Sequence, residues 1–365
     1  MMLNLTGNRP TYALIDVERF GKNIDTARQL SKSDIIAVVK ADAYGHGAET
    51  LAQYAYQKKN VRNFAVATMT EGLNLRKFIP SDANIIVLGY ITESFIKEAI
   101  KAELTLPVFD HSYAESISAI AQKTGQKVKV ALEIDTGMSR LGFSYDLNLV
   151  DFLSRYVYMD ITNVISHLAT SDSDNNYAHE QTERFDKFLE INKGFTFATS
   201  FLNSSGIASY ENRWTYTRPG IMLYGYESSG ILKGQLAPVM SVWSEVAHVK
   251  RIRKGDTVGY GRTFKADKDM IIGVVPIGYA DGYLRAFSNK AYMVADHLKC
   301  PVVGSVCMDM TMIDVTPLGM DCKGQKVQIL GDDVTADMWA EWGNTINYEA
   351  LCGISYRIPR VYGRF

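Results

Sequence analysis

Residues 35–41 read IIAVVKA, five apolar residues running straight into a lysine. A short, continuously apolar run rich in Val and Ile is how a strand covered on both faces reads. Seven further runs follow: NFAVATM (63–69), NIIVLGY (84–90), LTLPVFD (104–110), KVKVALEI (127–134), ITNVISHLA (161–169), TFATSFLNSS (196–205) and TRPGIMLYG (217–225). Amphipathic stretches separate them. Residues 17–30 place Val17, Phe20, Ile24, Ala27 and Leu30 at helical spacing behind Asp16, a candidate N-cap. Residues 181–191 put Phe185, Phe188 and Leu189 on one face. Eight buried strands alternating with helices predict an α/β fold with an N-terminal (β/α)8 TIM-like barrel. A doubly wound open sheet is disfavoured, because no glycine-rich dinucleotide fingerprint follows the first strand.

The chain has 365 residues, more than a barrel of some 200–250 residues requires. After about residue 232 the segments shorten, Val327 and Ile329 alternate in KVQIL, and turn signals recur at KGD (254–256), KGQ (323–325) and GDD (331–333). The expected division is a barrel over 11–232 and a C-terminal, mainly-β domain over 233–365 that also takes residues 1–10. Apolar residues make up 47% and charged residues 22%, enough to bury a large core. Net charge is −1 with no basic stripe, which excludes an electrostatic footprint for nucleic acid or an anionic membrane. The four cysteines form no C-x-x-C pair and are expected to be free thiols. The N-terminus lacks the basic start and apolar core of a signal peptide, and no stretch approaches the ~20 apolar residues of a membrane span. A cytoplasmic protein is expected.

Lys40 closes the first apolar run, where a barrel presents its active-site face. Most lysines are solvated, so a lysine in this place is a candidate functional group, and burial favours the neutral, nucleophilic form of an amine. Barrels commonly hold phosphate with the loops after strands seven and eight. Here those loops carry Asn203-Ser204-Ser205-Gly206 and Arg218-Pro219-Gly220-Ile221, small donors and a glycine that lets backbone approach a ligand. DTGMSRLG (135–142) offers Arg140 among turn residues, and His167 ends the sixth run in SHLATSD. A lone histidine near an apolar run is more often a hydrogen-bonded core residue than a catalyst. VGYGRTF (258–264), IGYADGY (277–283), SVCMDM (305–310) and ISYRIPR (354–360) read, by composition, as turns.

Taken together these segments resemble the alanine racemase family. VVKADAYGHG, DTGMSRLG, SHLATSD, TRPGIMLYG, GYGRTF, IGYADG, VCMDM and SYRIPR occur in the family's order from about Tyr12 to Arg360. The resemblance implies pyridoxal 5'-phosphate as cofactor, no metal, and racemisation of L- and D-alanine supplying D-alanine for peptidoglycan. It assigns Lys40 as the cofactor lysine and first base. Tyr260 becomes the opposing base, arriving from the partner subunit of a homodimer with shared sites. Tyr44, Ser204, Gly220, Ile221 and Tyr356 match the phosphate cradle, with Asn203 beside it. Arg218 matches the partner of the pyridine nitrogen, and His167 lies between it and Tyr260 in a network expected to be cationic. Arg140 and the backbone at Met308 match contacts to the substrate carboxylate and the ring's phenolic oxygen. Tyr260, Tyr279, Tyr356, Arg285 and Asp172 resemble the lining of the corridor through which substrate arrives.

One position departs from the family. A lysine modified to a carbamate usually precedes the arginine of DTGM-x-R by seven residues, and here that residue is Glu133. Its carboxylate is expected to serve as the anionic partner of Arg140 without modification. A racemase of serine or of broader specificity and a decarboxylase of the same fold are the alternatives. A decarboxylase would be expected to place an acid on the pyridine nitrogen, which Arg218 does not supply. A non-catalytic barrel that merely carries the cofactor would lack Tyr260 and the second domain.

Overall fold

In the computed structural model, which describes residues 9–363, the eight apolar runs become eight parallel strands. They are Asp34–Val38, Asn63–Val66, Asn84–Val87, Leu106–Val108, Val128–Asp135, Met159–Ile165, Ala198–Ser200 and Tyr216–Thr217. Sequential strands pair side by side, and the first also pairs with the eighth through Tyr216↔Asp34 and Thr217↔Ile35. Between the third and fourth a lone parallel bridge, Ile86↔Thr105, joins the circle. The result is the nearly closed (β/α)8 barrel expected from the alternation.

Helices between the strands follow from apolar spacing and capping. Val17–Ser31 buries Phe20, Ile24 and Ala27, and the Asp16 carboxylate accepts from Glu18 N (2.9 Å) and Arg19 N (3.0 Å) at its start. Asn175–Ile191 buries Phe185 and Phe188 behind the seventh strand. There Phe185 and Phe201 stack at 5.1 Å, and Phe201 meets Trp214 edge-on at 4.9 Å. Each such ring contributes about 1.5–3 kcal/mol by leaving water.

Contacts divide the chain into two compact units. The barrel unit comprises Phe20–Ala43 and Gly47–Ala237. The other, strand-rich unit takes Tyr44–His46, everything from Pro238 onward, and the N-terminal chain up to Arg19. The boundary at residue 11 drawn from alternation differs from this division, for a physical reason. Strand Tyr12–Asp16 is buried on both faces like a barrel strand, yet it pairs antiparallel with Met240–Glu245 and parallel with Arg360–Gly363. Residues 1–8 of the segment expected to join the second domain lie outside the described residues. The strand-rich unit contains a six-stranded sheet and a three-stranded one formed by His248–Ile252, Met270–Val275 and Thr311–Asp314. It also carries helices Ala336–Gly343 and Asn347–Cys352, which the sequence reading did not anticipate. Among the described residues no helix is long and apolar enough to cross a membrane.

Candidate active site

The first barrel strand ends in anchored backbone. Val38 N donates to Pro219 O (3.1 Å), the Tyr224 hydroxyl donates to Val38 O (2.9 Å), and Val39 N donates to Ala65 O (2.9 Å). Lys40 follows, half-buried, and the backbone then turns the wrong way. Ala41, Asp42, Ala43 and Tyr44 have φ of 52°, 52°, 54° and 53°, four consecutive left-handed residues without a glycine. Each L-residue in that conformation costs roughly 1–2 kcal/mol, so the surroundings must hold the turn. Ala43 N donates to Val39 O, Gly47 N to Asp42 O, Ala48 N to the Asp42 carboxylate (2.8 Å), and Ala41 N to the Glu71 carboxylate (2.7 Å). Nothing in the sequence reading singled out Glu71.

Arg218 is a buried, anchored charge in the barrel unit, 6% exposed. Its Nη1 donates to Ser200 O (2.6 Å) and Ser200 Oγ (2.8 Å), and its Nη2 to Ser166 O (2.5 Å) and His167 Nδ1 (3.4 Å). Four of its five N–H groups are thereby used, and among the described residues the Nε–H has no acceptor. Burial lowers its pKa to about 10, so the guanidinium stays charged at neutral pH. His167 is the reverse case. Burial first, then the charges of Arg218, Arg140 and Lys40, push it down to about 3. The ring is neutral, so the positive charge of the His167–Arg218 pair rests on Arg218. Because Arg218 can only donate, Nδ1 must accept, and the ring proton sits on Nε2. Gln181, fully buried, fixes this segment by donating to His167 O (3.0 Å) and accepting from Ala169 N (2.8 Å).

Small residues follow strands seven and eight. The Ser204 hydroxyl accepts from Gly220 N (2.9 Å) and Met222 N (3.2 Å), so its own proton is free to donate outward. Asn203 has a different task. Its side-chain oxygen caps Ser204–Ser209 by accepting from Gly206 N (2.8 Å), and also accepts from Ser171 Oγ (3.0 Å). Ile221 is fully buried and opens a short 3-10 turn. Asp172 lies exposed in the loop after the sixth strand.

Glu133, on the fifth strand, does not hold Arg140 directly. No ion pair joins them among the described residues, and Arg140 is exposed. Burial pushes the Glu133 carboxyl up to about 7, against the opposing pull of Arg218 first and Arg140 second. Arg140 follows Ser139, itself left-handed at φ 55°.

Within the strand-rich unit, Tyr260 stands on a 3-10 turn between Gly259 (φ 73°) and Gly261 (φ 72°) and is 74% exposed. The Ser305 hydroxyl donates to Tyr260 O (3.0 Å). The loops bearing Tyr279, Met308 and Tyr356 are tied together at Asp281, whose side chain is fully buried. Arg9 donates to both of its oxygens (2.7 and 3.0 Å), Arg357 lies 3.5 Å away and donates to Asp309, and Gly278 N donates to Asp281 Oδ2 (3.1 Å). Ser355 N bonds the Asp281 carbonyl, and Tyr279 N and Ala280 N bond the carbonyls of Cys307 and Met308. A Cβ on Gly278 would lie 2.2 Å from Cys307 O, so only glycine permits this approach. Sequence composition gave these segments only as turns. Tyr44, by contrast, is buried 6.1 Å from the Tyr348 ring, and burial keeps its phenol protonated well above the usual range. Arg285 begins a short 3-10 turn.

A parallel barrel carrying a lysine, an anchored arginine and small hydroxyl donors at its strand ends defines a cofactor-dependent α/β enzyme. The family description "Alanine racemase, N-terminal domain" matches residues 15–228, and "Alanine racemase, C-terminal domain" matches 239–362. Alanine racemase 1 of Clostridium acetobutylicum is 38% identical, over 97% of this chain and 95% of that protein. The solved alanine racemase of Clostridium difficile superposes with a TM-score of 0.90 at 32% identity, covering 97% and 96%. That of Bartonella henselae, with covalently bound pyridoxal phosphate, gives 0.90 at 30% identity, covering 97% and 99%. This chain belongs to the alanine racemase family, a family of pyridoxal-phosphate-dependent isomerases. The donor set suits that cofactor: an amine for its aldehyde, the Arg218 Nε–H for its ring nitrogen, and the outward Ser204 proton for its phosphate.

Proposed function

We propose that this chain interconverts L- and D-alanine with Lys40 and Tyr260 as opposing bases, Tyr260 being supplied by a second copy of the chain. The observation that carries the reading is Arg218, a buried cation with one N–H to spare, set among the strand ends that bear Lys40 and Ser204. Pyridoxal phosphate, when bound, supplies the electron sink that makes a Cα proton removable. Lys40 Nζ takes or returns that proton on one face of the carbon, and Tyr260 Oη does so on the other. Arg218 offers the ring nitrogen a hydrogen bond and no proton, which keeps the sink weak enough to favour prompt proton return. The neutral His167 donates from Nε2 and steadies the phenol side. Tyr44, Ser204, Tyr356 and the backbone of Gly220 and Ile221 hold the phosphate, with Asn203 shaping the cradle. Arg140 and the Met308 backbone hold the substrate carboxylate. Tyr279, Arg285 and Asp172, with Tyr260 and Tyr356, line the approach, a narrow mouth suited to a side chain as small as methyl.

The homodimer is supported by exposure. Tyr260 and Tyr356 are 74% and 93% exposed, and Met308 and Met310 52% each, a set of apolar side chains that a second copy would cover. D-alanine made in the cytoplasm would feed peptidoglycan synthesis. The test is purification with pyridoxal phosphate, inspection for a yellow protein, and conversion of L-alanine to D-alanine. Lys40→Ala should lose the colour and at least about a thousandfold of kcat. A wild-type protein that stays colourless with added cofactor, or that colours and converts no alanine, sinks the reading.

A further inference from the structure

Glu71 stands at the third position of helix Met69–Arg76, directly after the second barrel strand. One of its carboxylate oxygens accepts from Ala67 N (2.8 Å) and Thr68 N (3.1 Å), while Thr68 Oγ1 accepts from Glu71 N (3.2 Å). That is a capping box, and it accounts for one oxygen only. The other oxygen accepts from Ala41 N at 2.7 Å, thirty residues away and on the first strand's end. Ala41 immediately follows Lys40 and opens the left-handed run 41–44. The bonds from Ala43 to Val39 and from Gly47 and Ala48 to Asp42 tie that run to itself. Glu71 ties its first amide to the neighbouring strand.

We propose that Glu71 is a positioning residue for Lys40, fixing the backbone from which the lysine reaches the cofactor and the substrate proton. This rests on the assignment of Lys40 as the cofactor lysine. A carboxylate is required because both oxygens must accept. A glutamine turns an NH2 toward one of the two sets of amide donors, and an aspartate is one methylene too short to span both strand ends. A misplaced base costs rate more than affinity, on the order of 100-fold for 1 Å.

The experiment compares holoenzyme carrying Glu71→Gln with holoenzyme carrying Thr68→Ala, which breaks the capping box alone. Three quantities are read: loss of the cofactor's visible absorbance on dialysis against hydroxylamine, kcat and KM for alanine, and Tm. Glu71→Gln should release cofactor at least about fivefold faster and lose about tenfold to 100-fold in kcat, with KM within about twofold. Thr68→Ala should lower Tm by a few degrees and leave release and kcat at wild-type values. Glu71→Gln with wild-type release and kcat, or with losses that Thr68→Ala reproduces, overturns the proposal. If Glu71→Gln fails to fold, Glu71→Asp decides by the same readouts. A coloured, racemising wild type beside an indifferent Glu71 variant removes this inference alone, whereas a wild type that takes up no cofactor removes both.

Discussion

The barrel unit and the strand-rich unit handle their functional groups in opposite ways. In the barrel, charge is buried and fastened: Arg218 is 6% exposed with four N–H groups engaged, His167 is neutralised, and Glu133 is pushed towards protonation. In the strand-rich unit it is the loops that are fastened, and Tyr260 and Tyr356 stand exposed on them or beside them. Asp281 and its arginines lock three loops together, while Tyr260 and Tyr356 on those or adjoining turns face solvent. The barrel groups have their final environment within their own unit. The exposed tyrosines show no such enclosure within theirs, and the proposed second copy would supply it.

The largest effect expected from breaking this contrast is at Tyr260. Tyr260→Phe should lower kcat by about 10²–10⁴-fold, the usual worth of one acid–base group. Mixing refolded Tyr260→Phe with Lys40→Ala should then restore roughly a quarter of wild-type activity, since half the dimers hold one intact shared site. No recovery in the mixture would mean each chain completes its own site.

Next comes Asp281. Asp281→Asn leaves Arg9 and Arg357 facing a neutral group in a buried setting, on the scale of roughly 3–5 kcal/mol. Both arginines are partly exposed, so the loss should fall at the lower end. Denaturant unfolding measures it, and a loss under about 1 kcal/mol would show the three loops hold without this ion pair.

The smallest effect is at Glu133. Its folded form keeps a proton up to about pH 7 where the unfolded carboxyl gives it up near 4.5. The folded state therefore binds more protons between those values, and stability falls as pH rises through that window, by up to about 3 kcal/mol. Glu133→Gln should remove this slope and gain stability relative to wild type at pH 8 but not at pH 4.5. Parallel stability curves for the two proteins would show that the carboxyl is better solvated than its burial implies.

Some of this was open to a reader of the sequence and some was not. Eight Val- and Ile-rich runs are enough for eight parallel strands, because a strand covered on both faces has no polar face to show. Tyr12–Asp16 reads the same way, and only pairing reveals that it belongs to another sheet. The neutrality of His167 was hidden because it depends first on burial and then on three cations brought from other strands. Asn203 looked like a ligand contact and is chiefly a cap.

Lys40 and its neighbours show where the boundary falls. Sequence alone determined that a lysine closes the first barrel strand and that loops with small hydroxyl and glycine residues, candidates for holding phosphate, close the seventh and eighth, since their positions follow from order and periodicity along one chain. Only the tertiary structure decided that Ala41–Tyr44 turn left-handed, that Glu71 reaches across to hold the Ala41 amide, and that Arg218 keeps a single N–H free. Backbone strain and shared hydrogen bonds arise between segments distant in sequence, and no local pattern encodes which distant partner will satisfy a given donor.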